Sequence, residues 1–253
     1  MNVRFDFRTK RILVYNKNGM YRKGVGITPL IAKWFFHERW SLHSQSGSRG
    51  GGSELGRRVD KELKTWTRAV VKEQSERIVA KKIAKFCSET KMVIKECKKR
   101  GWRPVDSQRL VGCYDSRLAT RCDLVLRNIL TQEFILLEIK TGYADTFNNE
   151  DHKNKEDQRM RPPFFELKAN PRRFALIQLL LTWILHSTTH PEIKIKHENV
   201  RVLHVTTEKV STYDLPIAWS LQVRQQLLEC MKKRNVIPRK SKGSVKKRFK
   251  KGN

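Results

Sequence analysis

The sequence predicts an α/β fold, more closely an α+β sandwich in which helices flank one central mixed β-sheet. Three short β-rich segments, residues 110–114, 122–126 and 133–139, follow one another with polar turns between them. Segments with helical spacing of apolar residues lie before and after this run, and another β-rich segment follows at residues 200–205. The order of helix, three strands, helix, strand and helix favours a single sheet covered by helices.

Residues 1–45 form an N-terminal extension ahead of this core. Basic and apolar residues alternate over residues 3–15, which predicts a strand or a hairpin. The apolar spacing of residues 28–40 is typical of a short helix, and we expect its Trp34 and Phe35 to pack in the interior. Residues 46–53, with the sequence SGSRGGGS, predict a flexible loop; an ordered lid over a bound ligand is the alternative.

The predicted main domain spans residues 54–235 and begins with two helical stretches. Ser53 is the expected N-cap of the first helix, in which apolar residues recur at helical spacing. The second stretch is expected to begin near Ile78 and to end near Gly101.

The part of the domain after the three strands contains a loop, two more helices and a strand between them. Residues 146–163 are polar and charged, which predicts a long loop. Pro171 suits the first turn of a helix and predicts an amphipathic helix that ends at Leu185. Residues 217–233 predict the last helix, and residues 236–253 predict a basic, disordered tail.

Charge is the dominant global property of this 253-residue chain. Lys and Arg number 54 against 25 Asp and Glu, which gives a formal net charge of +29. A field of this sign attracts polyanions, so nucleic acid is the expected partner; a structural RNA binder or attraction to anionic lipid is the alternative. No apolar run approaches the roughly 20 residues of a membrane span, and no signal-peptide pattern begins the chain. We therefore expect no membrane association and no export.

The five cysteines form no CxxC pair and show no spacing typical of a zinc site. An odd number of cysteines without a signal peptide predicts reduced thiols in the cytosol or the nucleus.

Asp123 and the tripeptide Glu138-Ile139-Lys140 are the strongest candidate functional residues. Asp123 interrupts one β-rich segment, and the next segment runs into the tripeptide. Side chains two residues apart on a strand project to the same face, so Glu138 and Lys140 should point together while Ile139 packs on the other face. If the two segments pair as a hairpin, Asp123 approaches Glu138.

The chemistry of these residues points to a bound cation. Two clustered carboxylates repel each other, and their burial is costly unless a cation neutralises them. Such oxygen ligands suit Mg²⁺ or Mn²⁺, and the main-chain carbonyl of Ile139 offers a third ligand. The metal would activate a water and stabilise charge on a phosphate, while Lys140 would orient or deprotonate that water or stabilise the developing charge. The pattern predicts phosphodiester hydrolysis; a turn aspartate with a surface ion pair is the alternative.

The stretch from Asp123 through an apolar strand to Glu138-Ile139-Lys140-Thr141-Gly142 resembles motifs II and III of the RecB-like branch of the PD-(D/E)xK nucleases. That branch includes exonuclease domains of recombination helicases, CRISPR-adaptation nucleases and mitochondrial or viral DNA exonucleases. The resemblance spans roughly residues 54–206. It implies a restriction-endonuclease-like core, with Asp123, Glu138 and Lys140 as catalytic residues.

An upstream helix is similar to the branch as well. Its pattern there is Gly-x-x-x-His-x-x-Leu with a histidine that can bind metal; here Gly56 and Leu63 match, and Asp60 occupies the histidine position. The resemblance therefore implies Asp60 as a metal ligand beside Asp123, Glu138 and Ile139. Glu54 and Glu62 are rival acids on the same helix.

A downstream helix of the branch carries a Gln and, about one turn later, an aromatic residue. Gln178 is followed here by Trp183, one residue beyond the usual spacing. The resemblance implies that Gln178 contacts DNA or the catalytic region; a polar residue in a core helix is the alternative. Iron–sulfur members of the branch need four cysteines around the core, whereas only Cys230 follows Lys140, so no iron–sulfur cluster is expected.

The leading expectation is a Mg²⁺- or Mn²⁺-dependent deoxyribonuclease, more an exonuclease or flap-trimming enzyme than one that cuts both strands, in recombination, repair or replication. Alternatives are a non-catalytic nucleic-acid-binding protein with a degenerate nuclease fold, and an RNA nuclease. The expected partner is single- or double-stranded DNA, and the sequence identifies no protein partner. The basic tail suits a nuclear-import signal or non-specific DNA affinity, which indicates the nucleus (a host nucleus for a viral protein) or otherwise the cytoplasm. Residues expected to guide the phosphate backbone are Arg117, Arg121, Lys153, Lys155, Arg159, Arg161, Arg172 and Arg173.

Overall fold

The computed structural model describes residues 2–6, 11–36, 51–142, 147 and 159–219. Within them the chain forms five α-helices and nine β-strands. The elements are β1 (Asn2–Asp6), β2 (Arg11–Tyr15), β3 (Tyr21–Lys23), β4 (Val25–Gly26), α1 (Ile27–Phe35), α2 (Gly51–Val71), α3 (Glu76–Ala84), α4 (Ser88–Lys99), β5 (Trp102–Cys113), β6 (Leu118–Asn128), β7 (Phe134–Thr141), α5 (Pro171–Thr189), β8 (Val200–Val205) and β9 (Val210–Asp214).

The central sheet is mixed, as the sequence predicts. Strands β5, β6 and β7 are antiparallel neighbours, β8 lies parallel to β7, and β9 is antiparallel to β8. The parallel pair is connected through α5, the crossover that parallel strands require. The four strands that the sequence predicts for this sheet are all present. Strand β5 begins earlier than predicted, at Trp102, β6 is longer at both ends, and β7 continues to Thr141.

Helices cover both faces of this sheet. On one face, α1 and α5 pack with Leu136 and Val202 in a core that also contains Phe36 and Phe174. On the other face, α2 and α4 pack with Leu137 and neighbouring strand residues through side chains such as those of Val59, Leu63, Val93 and Ile94. The α/β layering predicted from the sequence is therefore present, with the mixed sheet as its middle layer.

Helix α5 differs from the amphipathic helix that was expected. Fifteen of its nineteen residues are buried, because α1 covers the side that faces away from the sheet. Pro171 begins the helix as predicted, and the Asn170 side chain caps it by accepting a hydrogen bond from the Arg173 amide at 2.8 Å. The helix continues to Thr189, one turn beyond the predicted end at Leu185.

The helices that precede β5 also begin and break at positions that no local sequence pattern marks. Helix α2 begins at Gly51, so Ser53 lies inside its first turn and is not the N-cap; each glycine there costs only about 1 kcal/mol in a long, packed helix. The single stretch expected from Ile78 is two helices, α3 and α4. They separate before Ser88 because the Cys87 amide donates its hydrogen bond to the Glu62 carboxylate of α2, at 2.9 Å, and not to a helical carbonyl.

The predicted N-terminal hairpin is present as β1 and β2, and β3 completes a separate three-stranded antiparallel sheet. This sheet packs against β5 at Gly112, where a Cβ atom would lie 2.9 Å from the Leu118 carbonyl oxygen and 3.1 Å from a methyl of Val14. Glycine at this position allows the two sheets to approach. The predicted helix at residues 28–40 is α1, with Trp34 and Phe35 buried.

Several predicted segments lie outside the described residues. They are most of the loop at residues 146–163, residues 46–50 of the Gly/Ser segment, Trp40, residues 220–233 of the last helix, Cys230 and the tail at residues 236–253. Residues 217–219 form a short 3-10 turn. The four described cysteines, Cys87, Cys97, Cys113 and Cys122, are free thiols. None of the helices in the described ranges combines the length and apolarity of a membrane span.

Candidate active site

The site lies where strands β6 and β7 separate. Their ladder runs from Arg127–Phe134 to Leu124–Leu137 and stops there, although the same register would place Asp123 opposite Glu138. On the same edge of β6, strand β4 pairs only with Leu118 and Ala119, since β5 occupies the other edge. An unpaired stretch of β6 edge is left between β4 and β7, and Asp123 lies in it.

The Asp123 side chain accepts a hydrogen bond that a main-chain carbonyl of β6 would accept if the ladder continued. The main-chain amide of Ile139 donates to Asp123 Oδ2 at 2.9 Å, in place of a carbonyl of β6. The N–H and C=O of a strand residue point to the same edge, so the Ile139 carbonyl also faces this opening. The side chain of Ile139 packs among Val59 and Leu63 of α2, on the face opposite Glu138, as predicted.

Glu138 and Lys140 project together, as the two-residue spacing predicts. Lys140 Nζ lies 2.6 Å from Glu138 Oε1 and 3.0 Å from Gln178 Oε1 of α5. Gln178 Nε2 donates to the same Glu138 oxygen at 2.6 Å. Glu138 is 1% exposed and Gln178 is 9% exposed, whereas Lys140 is partly exposed, so the group lies between the sheet and α5 and is open to solvent on the side of Lys140.

The second carboxylate oxygen of Glu138, Oε2, is buried without a hydrogen-bond partner among the described residues. Ionisation of a buried oxygen without a partner is costly, and either a proton on Glu138, which can be donated to Asp123, or a bound cation offsets that cost. This oxygen is therefore the clearest indication that a cation or a donor from a ligand completes the site.

Asp60 reaches the site from α2. It lines one cavity of about 310 Å³ together with Asp123, Glu138, Lys140 and Gln178. Gly56, one turn earlier, lies close to the end of β7: a Cβ atom there would be 3.5 Å from Thr141 Oγ1, an ordinary van der Waals contact. The predicted exit from β7 is present too: Gly142 has a φ of +81°, a conformation that favours glycine.

The rival acids of α2 are placed differently. Glu62 accepts a hydrogen bond from the Cys87 amide at 2.9 Å and forms an ion pair with Arg58 at 3.0 Å. Its carboxylate therefore stabilises the start of α4. Arg58, Cys87 and Thr90 hold the pKa of Glu62 below its ordinary value against the opposing effect of burial. Glu54 is exposed in the first turn of α2 and does not line the cavity.

The electrostatics of the cavity disfavour full ionisation of the three acids. Burial, and then the neighbouring Asp123, raise the pKa of Glu138 to about 8 even though Lys140 opposes the shift. Burial and Asp123 likewise raise the pKa of Asp60 to about 7. Burial raises the pKa of Asp123, against the effects of Lys140 and the Ile139 amide. Asp60 and Glu138 therefore hold protons to near neutral pH, and a cation that bound there would displace them.

Gln108 is a site residue that the sequence analysis missed. It lies on β5 directly opposite Asp123, between the pairs Ser107–Leu124 and Arg109–Cys122, and its Nε2 is 3.3 Å from Asp123 Oδ1. Its φ of +54° is left-handed, which costs a non-glycine residue about 1–2 kcal/mol. No pattern in the sequence marks this position, because the strain arises only from the tertiary pairing.

The oxygen atoms of Asp60, Asp123, Glu138 and the Ile139 carbonyl are of the chemical type that binds a hard divalent cation. Among the described residues, no three His, Cys, Asp or Glu side chains are already arranged around one metal position. The fit rests on the unpartnered Glu138 Oε2, on the raised pKa values of Asp60 and Glu138, and on the Ile139 carbonyl at the open strand edge. All of these donors are oxygens, the ligands that Mg²⁺ and Mn²⁺ prefer.

The predicted nucleic-acid contacts fall into two groups. Arg121 is near the site, since it lowers the pKa of Asp60, and its guanidinium lies 5.1 Å from the Phe5 ring centre. Arg121 and the other arginines that were predicted as contacts do not line the cavity, and several of them stabilise the chain before and at the start of α5. Arg57 of α2, which was not predicted, does line it. Arg161 donates to the Lys33 carbonyl, Arg173 donates to the Lys168 carbonyl, Arg172 lies over the Tyr213 ring, Arg159 is exposed beside a bridge to Lys168, and Arg117 is exposed in the β5–β6 turn.

Trp183, the aromatic residue that follows Gln178 in the predicted motif, does not line the cavity. Trp183 is buried and donates its indole N–H to the Ile195 carbonyl at 3.0 Å, so it belongs to the core. Lys153 and Lys155 lie outside the described residues.

A second, larger cavity of about 640 Å³ lies between α2, α3 and β5, and side chains such as Trp66, Val79 and Trp102 line it. It is mainly apolar, and none of the predicted catalytic residues borders it. The smaller, polar cavity with the three acids is therefore the candidate active site.

Comparison with family models, curated proteins and solved structures found no match for this chain. What the chain does must therefore be argued from the chemistry of its own residues.

Proposed function

We propose that the protein is a metal-dependent deoxyribonuclease whose active site is the cavity between the separated strands β6 and β7. The observation that carries the proposal is the gathering of Asp60, Asp123 and Glu138 in one cavity with Lys140, while Glu138 Oε2 is buried and unpartnered. A structural ion pair needs none of the extra acids. Three acids around one cavity are costly to the fold, which favours a functional reason for them.

In this proposal Asp123 and Glu138 hold the cation, with Asp60 and the Ile139 carbonyl as further ligands. A bound Mg²⁺ or Mn²⁺ supplies a water of lowered pKa and stabilises negative charge on the scissile phosphate. Gln178 holds Glu138 and Lys140 in place from α5. Lys140 brings a positive charge to the cavity, where it orients the attacking water or stabilises the charge that develops on the phosphate.

The finer fold assignment is part of the same proposal. A restriction-endonuclease-like core of the RecB-like branch is supported by the order α2, three antiparallel strands, α5 and the parallel strand β8. It is supported as well by the approach of Asp60 and Gln178 to the acids of β6 and β7 from opposite faces of the sheet.

DNA is the proposed substrate because the net charge of +29 favours a polyanion and because the site carries the residues expected for phosphodiester hydrolysis. Binding through phosphate contacts would depend steeply on salt and little on sequence. With a single site of this kind, trimming of ends or flaps is proposed over concerted cleavage of both strands, and a role in recombination, repair or replication follows from that activity.

The experiment that tests the proposal is cleavage of end-labelled single- and double-stranded DNA with Mg²⁺, Mn²⁺ or EDTA. We expect metal-dependent cleavage by the wild type and a loss of at least about 100-fold in Asp123→Asn and in Lys140→Met. The matched control is Glu62→Gln, an acid of α2 that faces away from the cavity and should leave the cleavage rate near that of the wild type.

The outcomes are distinct. If wild type and variants bind DNA equally and none cuts with either metal, the protein is a binder with a nuclease-like site and the proposal fails. If the wild type cuts RNA of the same sequence and not DNA, the deoxyribonuclease assignment fails while the assigned site remains.

A further inference from the structure

The small sheet β1–β2–β3 has one face that the core does not use. Val3 and Val14, a register pair, lie on the face that packs against Gly112. The residues that alternate with them lie on the other, outer face. Its register pairs are Arg4–Leu13, Leu13–Lys23 and Tyr15–Tyr21, so the outer face combines two tyrosines, an arginine and a lysine.

Of the two tyrosines on this outer face, Tyr21 is exposed and Tyr15 is half-buried. Tyr21 is 62% exposed, its ring centre lies 5.7 Å from that of Tyr15, and Met20 beside it is 57% exposed. The Arg4 guanidinium lies 5.7 Å from the Tyr15 ring centre. A cluster of tyrosines with a cation at its edge leaves polarisable ring surface open to a planar ligand.

The charge of the outer face suits a polyanion. Arg4 and Lys23 are exposed on either side of Leu13, which lies on the central strand. Among the described strand residues of this face Asp6 is the acid, and it lies at the end of β1 away from the tyrosines, since Asn2 is the residue of β1 that pairs with Tyr15.

The small sheet lies near the cavity. Phe5 of β1 lies 5.1 Å from the Arg121 guanidinium, and Arg121 in turn lowers the pKa of the Asp60 carboxyl. Phe5 alternates with Arg4 and therefore belongs to the inner face with Val3, so this contact places the small sheet beside the site while the outer face lies on the side of the sheet away from Arg121.

We propose that the outer face of β1–β2–β3 binds single-stranded DNA, with bases stacked on Tyr21 and Tyr15 and phosphates at Arg4 and Lys23. A single strand is chosen over a duplex because ring stacking needs bases whose faces are open, and in a duplex these faces are covered by neighbouring base pairs. The inference rests on the proposed function for its choice of DNA. It adds the substrate class: a DNA end or flap with a single-stranded segment.

The test measures binding of a fluorescent oligothymidylate in EDTA, so that cleavage plays no part. We expect Tyr21→Ala to weaken binding by at least about fivefold, the lower end of what one stacked base contributes. Lys23→Ala should reduce the slope of log affinity against log salt by about 0.7, the value for one phosphate contact on a single strand. Binding of a blunt duplex should change by less than twofold in Tyr21→Ala.

Two control variants test whether the effect is specific to the outer face or arises from any exposed aromatic or basic residue. Phe165, 54% exposed outside the small sheet, serves as the aromatic control, and exposed Lys91 of α4 serves as the lysine control. Phe165→Ala and Lys91→Ala should retain the affinity of the wild type for the oligothymidylate, and Lys91→Ala should retain its salt slope. Equal losses in Phe165→Ala and Tyr21→Ala would overturn the proposal, as would binding of oligouridylate without binding of the DNA oligomer.

The two proposals fail in different ways. If Tyr21→Ala loses single-strand affinity in EDTA and the wild type never cuts DNA, the binding face stands and the nuclease assignment falls. If the wild type cuts DNA with metal and Tyr21→Ala binds the oligomer as the wild type does, the nuclease assignment stands and the binding face falls.

Discussion

Replacing Glu138 by Gln should remove a pH-dependent destabilisation of the metal-free protein. Glu138 is 1% exposed, and burial together with Asp123 raises its pKa from an ordinary value of 4.5 to about 8. The folded protein therefore binds more protons at this group than the unfolded chain does between pH 4.5 and 8. Its free energy of unfolding should fall as the pH rises through that window.

The magnitude follows from the size of the shift. Each pKa unit corresponds to about 1.4 kcal/mol, so ionisation of Glu138 costs the fold up to about 5 kcal/mol above pH 8. Buried His186, whose pKa burial and His190 lower to about 4, acts in the opposite sense below its ordinary value of 6.5. The window from pH 6.5 to 8 lies above the titration of His186, and in it Glu138 accounts for about 2 kcal/mol. Asp60, whose pKa is raised to about 7, also titrates in this window, so the comparison with Glu138→Gln isolates the contribution of Glu138.

The assay is urea unfolding in EDTA, followed by circular dichroism at pH 6.5 and 8. Compared with the wild type, Glu138→Gln should lose about 2 kcal/mol less of its stability across this interval, and it should be the more stable protein at pH 8. Glu133→Gln is the control: the hydrogen bond from Lys196 lowers the pKa of partly exposed Glu133, so Glu133 titrates below the window and its replacement should leave the slope unchanged. Saturating Mn²⁺ should stabilise the wild type more at pH 8 than at pH 6.5. Equal slopes for wild type and Glu138→Gln would show that Lys140 alone compensates the buried charge, and the reasoning would be refuted.

Three further predictions concern the surroundings of the site. Asp60→Asn should weaken Mn²⁺ binding, measured by calorimetry, by about 10-fold or more. Glu62→Gln should leave the metal affinity unchanged and should lower the free energy of unfolding by about 1 kcal/mol, because Glu62 accepts the hydrogen bond at the start of α4. The reverse pattern would make Glu62 the ligand. At Gln108, where φ is +54°, Gln108→Gly should have a free energy of unfolding in urea about 1 kcal/mol higher than Gln108→Ala, which is the reverse of the usual order in a strand. Equal stability of the two variants would exclude backbone strain at this position. As the pH falls from 6.5 to 4, the free energy of unfolding of the wild type should fall by about 3 kcal/mol because of His186, whose ring nitrogens are buried without partners among the described residues. His186→Leu should abolish this loss, and an unchanged acid transition in the variant would contradict the prediction.

The elements that the sequence predicts well are those whose local signal agrees with their tertiary surroundings. Strands β6, β7 and β8 are apolar runs bounded by polar turns, and Pro171 marks the start of α5. Strand β9 was missed because its residues are half-buried and partly polar at the sheet edge, where packing imposes little pattern. The burial of α5 on nearly all sides depends on α1, which lies far away in the sequence, so that no local periodicity reveals it.

The same distinction applies to the site. The spacing of Glu138 and Lys140 fixes their common face, and that relation was predictable from strand geometry alone. The choice between Asp60 and Glu62 was not, because it depends on how α2 is rotated against α4, and the Cys87 amide reveals that rotation only in the folded chain. Gln108 was unpredictable for a related reason: its backbone conformation is imposed by its position opposite Asp123.

The separation of β6 from β7 explains why a chain would tolerate such a costly group of acids. If the ladder continued one more pair, Asp123 and Glu138 would lie side by side as cross-strand neighbours, and like charges at that distance destabilise a sheet. Opening the ladder leaves the Ile139 amide without a strand partner, and the Asp123 carboxylate replaces the missing carbonyl at 2.9 Å. One side chain thus satisfies the broken ladder and holds a negative charge at the opening. Asp123 therefore has two roles, as the hydrogen-bond acceptor of the Ile139 amide and as a negative charge at the opening. Asp123→Asn keeps the acceptor oxygen and loses the charge, whereas Asp123→Leu loses both. We expect both variants to be inactive and Asp123→Leu alone to be less stable, by about 1–3 kcal/mol, which is the cost of a buried amide left unpaired.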